Sequence, residues 1–125
     1  MVNVGHKTVQ FRRAIAGGKL FCAPATIHLL KKAALPKGDV LGVARIAAIQ
    51  AVKRTADLIP LCHPLPINKI DVQFKITGRA IEIECSVETE AKTGVEMEAL
   101  TGVTVAALTL YDMCKAVDKG IRISF

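Results

Sequence analysis

Asp112 and Lys115 stand three residues apart, just after a stretch, Ala99 to Tyr111, that carries no charge at all. That spacing puts both side chains on one helix face. There they form either an exposed ion pair or, where the apolar segment is covered, a carboxylate and amine tuned for proton transfer by desolvation. Lys92-Thr93-Gly94-Val95-Glu96-Met97-Glu98 is a glycine turn that opens a helix with two carboxylates. Acidic groups in a first turn usually complement the helix dipole, and the same groups also suit substrate binding or acid/base work. Leu61-Cys62-His63-Pro64-Leu65-Pro66 is a proline-stiffened loop that presents one thiol and one imidazole. His63 reads equally as a substrate or acid/base contact and as a plain loop histidine. Adjacent Cys and His side chains are poorly placed to share a metal or to pair as nucleophile and base, so no zinc site and no metal cage is expected. Lys37-Gly38-Asp39 precedes a helix, where free amides, the dipole and a lysine suit phosphate, although an Asp N-cap alone explains the pattern as well.

These residues need elements to position them. Ile70, Val72, Phe74 and Ile76 alternate with Asp71, Gln73 and Lys75, and beyond a turn at 77–79 Ile81, Ile83, Cys85 and Val87 alternate with Glu82, Glu84, Ser86 and Glu88. The period of two predicts a hairpin with one solvated face. A helix is predicted from Gly38-Asp39 to about Asp57, stopped by Pro60, and a second from Gly94-Val95 to about Lys119, terminated by Gly120. Thr8 to Cys22, with a turn at Gly17-Gly18, and Ile121 to Phe125 read as extended, and a short helix is expected over 24–34. The order strand, helix, strand, strand, helix, strand predicts an α+β chain of ferredoxin-like βαββαβ type, an antiparallel sheet with helices on one face, forming a single domain over 1–125.

Composition narrows the partners. The chain has 125 residues, 17 Lys+Arg against 11 Asp+Glu, and is 51% hydrophobic. Residues 1–80 hold 13 basic and 3 acidic groups while residues 81–125 hold 4 and 8, which suggests an anionic ligand met by the first part with carboxylates brought in from the second. With no Trp, one Tyr and four Phe, a nucleic-acid stacking platform is not expected. The four cysteines, Cys22, Cys62, Cys85 and Cys114, show no C-x-x-C spacing, and no signal segment leads the chain, so a cytoplasmic protein with reduced thiols is expected. The uncharged run is too short for a membrane span.

One distance constrains the chemistry. If Glu98 and Asp112 share a continuous helix, fourteen residues at about 1.5 Å each place them roughly 20 Å apart. Either one end alone is functional, or subunits pack so that the helix start of one chain meets the helix end of another. The uncharged middle of that helix favours the second arrangement.

Four blocks, Lys37-Gly38-Asp39-Val40, Leu58 to Leu65, Lys92 to Thr101 and Leu110 to Val117, closely resemble the molybdenum cofactor biosynthesis protein C (MoaC) family, the cyclic pyranopterin monophosphate synthases. The resemblance covers almost the whole chain. It implies a lyase of molybdenum cofactor biosynthesis that converts 3′,8-cyclo-7,8-dihydroguanosine 5′-triphosphate to cyclic pyranopterin monophosphate and pyrophosphate. It also implies a homohexamer, a trimer of dimers with a ferredoxin-like subunit and an active site at a subunit interface. By motif, Asp112 matches the acid/base residue and Lys37 and Lys115 match lysines needed for activity. Leu61, Cys62, His63, Met97 and Glu98 match substrate-binding positions, Glu96 an acidic position beside them, and Arg12 a basic residue for the triphosphate. No cofactor is implied beyond Mg²⁺ accompanying the triphosphate. Asn3 stands where the family usually has Asp, and the resemblance implies a Lys-Ser-Gly-Gly tail with an active-site lysine following the last strand, whereas the sequence ends at Phe125. The competing readings are a basic ferredoxin-like module that binds nucleic acid and a ligand-sensing module without catalysis.

Overall fold

A computed structural model describes residues 1–125. Its elements run β1 (Gln10–Phe21), α1 (Pro24–Lys31), α2 (Val40–Lys53), α3 (Thr55–Leu58), β2 (Lys69–Ile76), β3 (Ala80–Ala91), α4 (Glu96–Cys114) and β4 (Arg122–Ser124). The sheet order is β2-β3-β1-β4 with every neighbouring pair antiparallel. This is the split βαβ order expected of a ferredoxin-like chain. Leu20, Val72, Ile81, Ile83, Cys85 and Val87 point to one side and pack with Val40, Ala44, Ala48 and Val52 of α2 and Ala99, Val103, Ala106 and Leu110 of α4. The opposite side of the sheet carries Arg13, Lys19, Asp71, Lys75, Glu82 and Glu88, with ion pairs Lys19–Glu82 at 3.3 Å and Arg13–Glu88 at 3.9 Å. Alternation in the hairpin is thus expressed as a helix-covered face and a charged face.

The predicted turn at Gly17-Gly18 is absent: β1 pairs without interruption with β3 from Gln10↔Ala91 to Phe21↔Ala80. Gly18 serves packing instead, since a Cβ there would stand 2.8 Å from Val103 Cγ1 and 3.1 Å from Phe125 Cδ1. The first predicted long helix is divided. α2 ends at Lys53, Arg54 leaves helical geometry, and the buried Thr55 hydroxyl donates back to the carbonyls of Ala51 and Val52 before the short α3. The second ends at Cys114, five residues short of expectation, because the chain turns through 115–117 into Asp118 rather than running on to Gly120.

α2 starts as the sequence requires: the Asp39 carboxylate accepts the Gly42 amide at 3.1 Å, a short-range N-cap. Arg45 ties this helix to the sheet, donating to the Val72 carbonyl at 3.0 Å with its guanidinium 5.3 Å from the Phe74 ring centre. The alanines of α2 admit α4 closely, and Gly102 of α4 faces Cys85 and Val52 with no room for a methyl group. α4 therefore runs as one rigid rod across β1 and β3.

Candidate functional site

The site residues gather at the two ends of α4. At its start, the 61–65 loop closes over the first helical turn, and a cavity of about 180 Å³ is lined by Leu61, Cys62, His63 and Leu65 on one side and Thr93, Gly94, Glu96, Met97 and Glu98 on the other. The loop is held from below: the fully buried Thr89 of β3 donates its hydroxyl to the Pro66 carbonyl, and the Asn68 amide donates to the Glu88 carbonyl at 2.9 Å. α4 has no side-chain N-cap, and its first turn instead carries Glu96 and Glu98. The Glu96 carboxylate folds back into the space a Cβ at Gly94 would fill. Glu98 is only 4% exposed. Burial pushes its carboxyl up from the ordinary range, its own backbone amide opposes this, and the neighbouring Glu96 charge adds to the rise. A carboxyl of this kind keeps its proton to higher pH than an exposed one, which suits a donor.

Arg12 reaches the same end of the helix but is engaged by backbone, its Nε donating to the Ala91 carbonyl at 3.2 Å and Nη2 to the Lys92 carbonyl at 3.4 Å. It braces the turn that enters α4 and keeps further N–H donors free.

At the far end of α4, Asp112 lies between two lysines: Lys37 Nζ donates to Oδ2 at 2.9 Å and Lys115 Nζ stands 3.0 Å from Oδ1. The hydrogen bond from Lys37, followed by that from Lys115 and the charges of both, holds the Asp112 carboxyl below the usual carboxylate range. Desolvation is not what tunes this cluster within the chain, because the Asp112 and Lys115 side chains are 53% and 54% exposed. Lys37 comes from the loop between α1 and α2, where Gly38 takes a left-handed φ of 93° with open space around it. Instead of waiting at the N-terminus of α2 for a phosphate, Lys37 spends its charge on Asp112. The sequence reading missed this pair, which spans 75 residues and leaves no local signal.

The chain therefore unites Leu61, Cys62, His63, Glu96, Met97 and Glu98 at one end and Lys37, Asp112 and Lys115 at the other, and does not bring the two groups together. Between them the outer side of α4 is apolar and uncovered, with Leu100 and Leu108 at 44% and 60% exposure, beside exposed Val43 and Ile46 of α2. A depression of about 670 Å³ between Phe21, Lys75, Glu82 and Phe125 at the charged side of the sheet contains neither group. No cluster of three His, Cys, Asp or Glu side chains suited to a metal forms, and no helix is long and apolar enough to cross a membrane. Cys22, Cys85 and Cys114 are buried free thiols, with burial pushing Cys22 up to about 12 and Cys85 to about 11. They are poor nucleophiles at neutral pH.

The chain is of the ferredoxin-like α+β class, with its candidate site residues in two groups at the ends of one helix, a fold that by itself fixes no activity. Comparison with known proteins narrows this: a family model, the MoaC family, matches residues 1–125. The chain belongs to the MoaC family. It is 56% identical over 125 residues to the cyclic pyranopterin monophosphate synthase of Chloroflexus aggregans (strain MD-66 / DSM 9485), an alignment that covers 98% of this chain and 76% of that protein.

Proposed function

We propose that this chain is a cyclic pyranopterin monophosphate synthase of molybdenum cofactor biosynthesis, a lyase acting in the cytoplasm on 3′,8-cyclo-7,8-dihydroguanosine 5′-triphosphate. The 56% identity to a relative of that name over nearly the whole chain is the observation that carries this reading. In it Asp112, Lys37 and Lys115 manage the proton transfers while the purine ring opens and the pyranopterin framework is built. Leu61, Cys62, His63, Glu96, Met97 and Glu98 hold the substrate, and Arg12 faces its triphosphate. In the closing step a ribose-derived hydroxyl loses its proton to the Asp112 carboxylate and its oxygen bonds to the α-phosphorus. The bond from that phosphorus to the bridging oxygen breaks, and pyrophosphate leaves with the electron pair, its charge met by the lysines. Mg²⁺ arrives with the triphosphate as part of the substrate.

The assembly in this reading is a homohexamer, a trimer of dimers, with each active site shared across an interface. Three features support sharing: a rigid helix that keeps its two ionisable ends roughly 20 Å apart, a bare apolar stripe between them, and a cavity at one end of only about 180 Å³, below the few hundred Å³ usual for ligand pockets.

Incubation with the cyclic dihydroguanosine triphosphate yields one pyrophosphate per substrate consumed. Substrate recovered intact overturns the reading. Sharing is tested separately by mixing two inactive variants, Glu98→Gln and Asp112→Asn: hybrid interfaces regain part of the activity, and a mixture as inactive as its components refutes the shared site.

A further inference from the structure

α1 rests on the core through Ile27 and the half-buried Leu29 and Leu30, and its start has no cap of its own. Only two of its eight residues, Thr26 and Ile27, are buried, its N-cap position is Ala23 with no side-chain cap, and its first turn has no acidic residue. The missing cap comes from the far end of the sequence. Asp118, 9% exposed, accepts the Ala23 amide at 2.9 Å and the Thr26 hydroxyl at 2.8 Å on Oδ2, and the Gly120 amide at 2.9 Å on Oδ1. Both oxygens are used, one on α1 and one on the turn that follows α4.

The two segments joined in this way are the two that carry the Lys37–Asp112–Lys115 cluster. On one side, Asp118 follows Lys115 by three residues through a turn fixed by the Lys115 amide on Tyr111 and the Val117 amide on Cys114. On the other, α1 extends about 12 Å by its rise per residue. It is continued to Lys37 by the Ala33 amide on Leu30, the Ala34 amide on Leu29 and the Gly38 amide on Leu35. α1 is thus a short lever, clamped at its start by Asp118, resting on the core through Leu29, Leu30 and, beyond its end, the buried Leu35, and bearing Lys37 two residues further on.

We propose that Asp118 is a positioning residue for this cluster: its carboxylate clamps the start of α1 to the end of α4 and so sets the distance at which Lys37 meets Asp112. The proposal rests on the reading that the cluster moves protons in the reaction. Burial raises the Asp118 carboxyl, but the Ala23 and Gly120 amides and the Thr26 hydroxyl outweigh it, so the clamp is charged at neutral pH.

The test uses Asp118→Asn, which keeps the shape and loses one acceptor, in the full chain. Pyrophosphate release is measured together with the titration of the Asp112 carboxyl carbon by NMR, where Lys37 and Lys115 are the charged groups facing that carboxyl. The expected result is a kcat about 10- to 100-fold lower, as a misplacement near 1 Å produces, a KM changed less than about twofold, and an Asp112 titration moved toward the ordinary carboxylate value. In a Lys37→Ala background the same substitution costs almost nothing further, because the lever then carries no charge to place. A folded Asp118→Asn protein with unchanged kcat and unchanged Asp112 titration overturns the proposal, as does an equal loss of activity with and without Lys37. If Asp118→Asn does not fold, Thr26→Val removes one bond of the clamp, and the same two readouts decide. If the unaltered protein releases no pyrophosphate, the functional reading fails, and the Asp112 titration still decides the role of Asp118.

Discussion

A methyl group added at Gly102 probes the contact that holds α4 in place. The added Cβ of Gly102→Ala would stand 2.6 Å from Cys85 Sγ and 2.8 Å from Val52 Cγ2, each about 1 Å inside ordinary contact. Neither neighbour yields easily. Cys85 is fully buried in the central hairpin, and Val52 is β-branched and held to one rotamer within α2. Relief must come from moving α4 away from both, at the cost of about 1–3 kcal/mol typical of an overpacked core. Replacing glycine by alanine inside a helix returns about 1 kcal/mol. The balance is a loss of about 1 kcal/mol, or about 4 °C in Tm for a chain of this size. Calorimetry or circular dichroism on Gly102→Ala measures it. A second variant, Cys85→Ala combined with Gly102→Ala, removes the closest partner and loses less than the sum of the two single changes. A Tm for Gly102→Ala at or above that of the unaltered protein refutes the close approach of α4 to Cys85 and Val52.

Three further outcomes follow from the site. Since Lys37 and Lys115 hold Asp112 below the usual carboxylate range, activity that needs its carboxylate survives as pH falls through that range. Lys37→Met raises the midpoint of the acid limb of the pH profile, and an unmoved limb refutes the pairing. Glu98 titrates above its unfolded value, so its contribution to stability is full below that value and is lost as pH rises through the folded one. Thermal unfolding of Glu98→Gln therefore shows a gain relative to the unaltered protein at pH 7 that vanishes near pH 4, about the unfolded carboxyl value, and a loss confined to pH 7 refutes the burial argument. Thr89→Val leaves the Pro66 carbonyl without its partner, so denaturant unfolding shows a loss of about 1–3 kcal/mol. The loosened 61–65 loop then raises KM, and unchanged stability together with unchanged KM overturns the role of Thr89 in holding it.

The local parts of this molecule were legible in its sequence. Alternation from Ile70 to Glu88 defined the hairpin, Asp39 marked the start of α2, and the uncharged run from Ala99 to Tyr111 marked α4. Where the reading went astray, a distant contact had overruled a local cue. Gly17-Gly18 resembles a turn until Val103 and Phe125 are seen to need the space at Gly18, and Gly120 resembles a helix stop until Asp118 ends α4 earlier by capping another helix. The site divides in the same way. His63 in its proline-stiffened loop and Glu96 with Glu98 in a first helical turn stood out by type and spacing, whereas roles for Cys62 and Met97 were implied by the resemblance alone. The bonds of Lys37 to Asp112, Arg12 to Ala91 and Thr89 to Pro66 join segments far apart along the chain and follow no periodicity.

The uninterrupted β1–β3 ladder, Gln10↔Ala91 to Phe21↔Ala80, also sets a timetable for synthesis. β1, one of the two central strands of the sheet, leaves the ribosome before β3 and finds that partner only when the chain has grown by about sixty to seventy further residues, a wait of about 3–14 s at ordinary translation rates. During that interval a twelve-residue strand with apolar Phe11, Ile15 and Leu20 has both edges open, a state prone to pairing with other nascent chains. Arg12, Arg13 and Lys19 interrupt the strand where such pairing would begin, and mutual repulsion between copies keeps it single. The positive charge that in the finished protein braces the entry to α4 and pairs with the glutamates of β3 thus protects the unfinished one from its own kind.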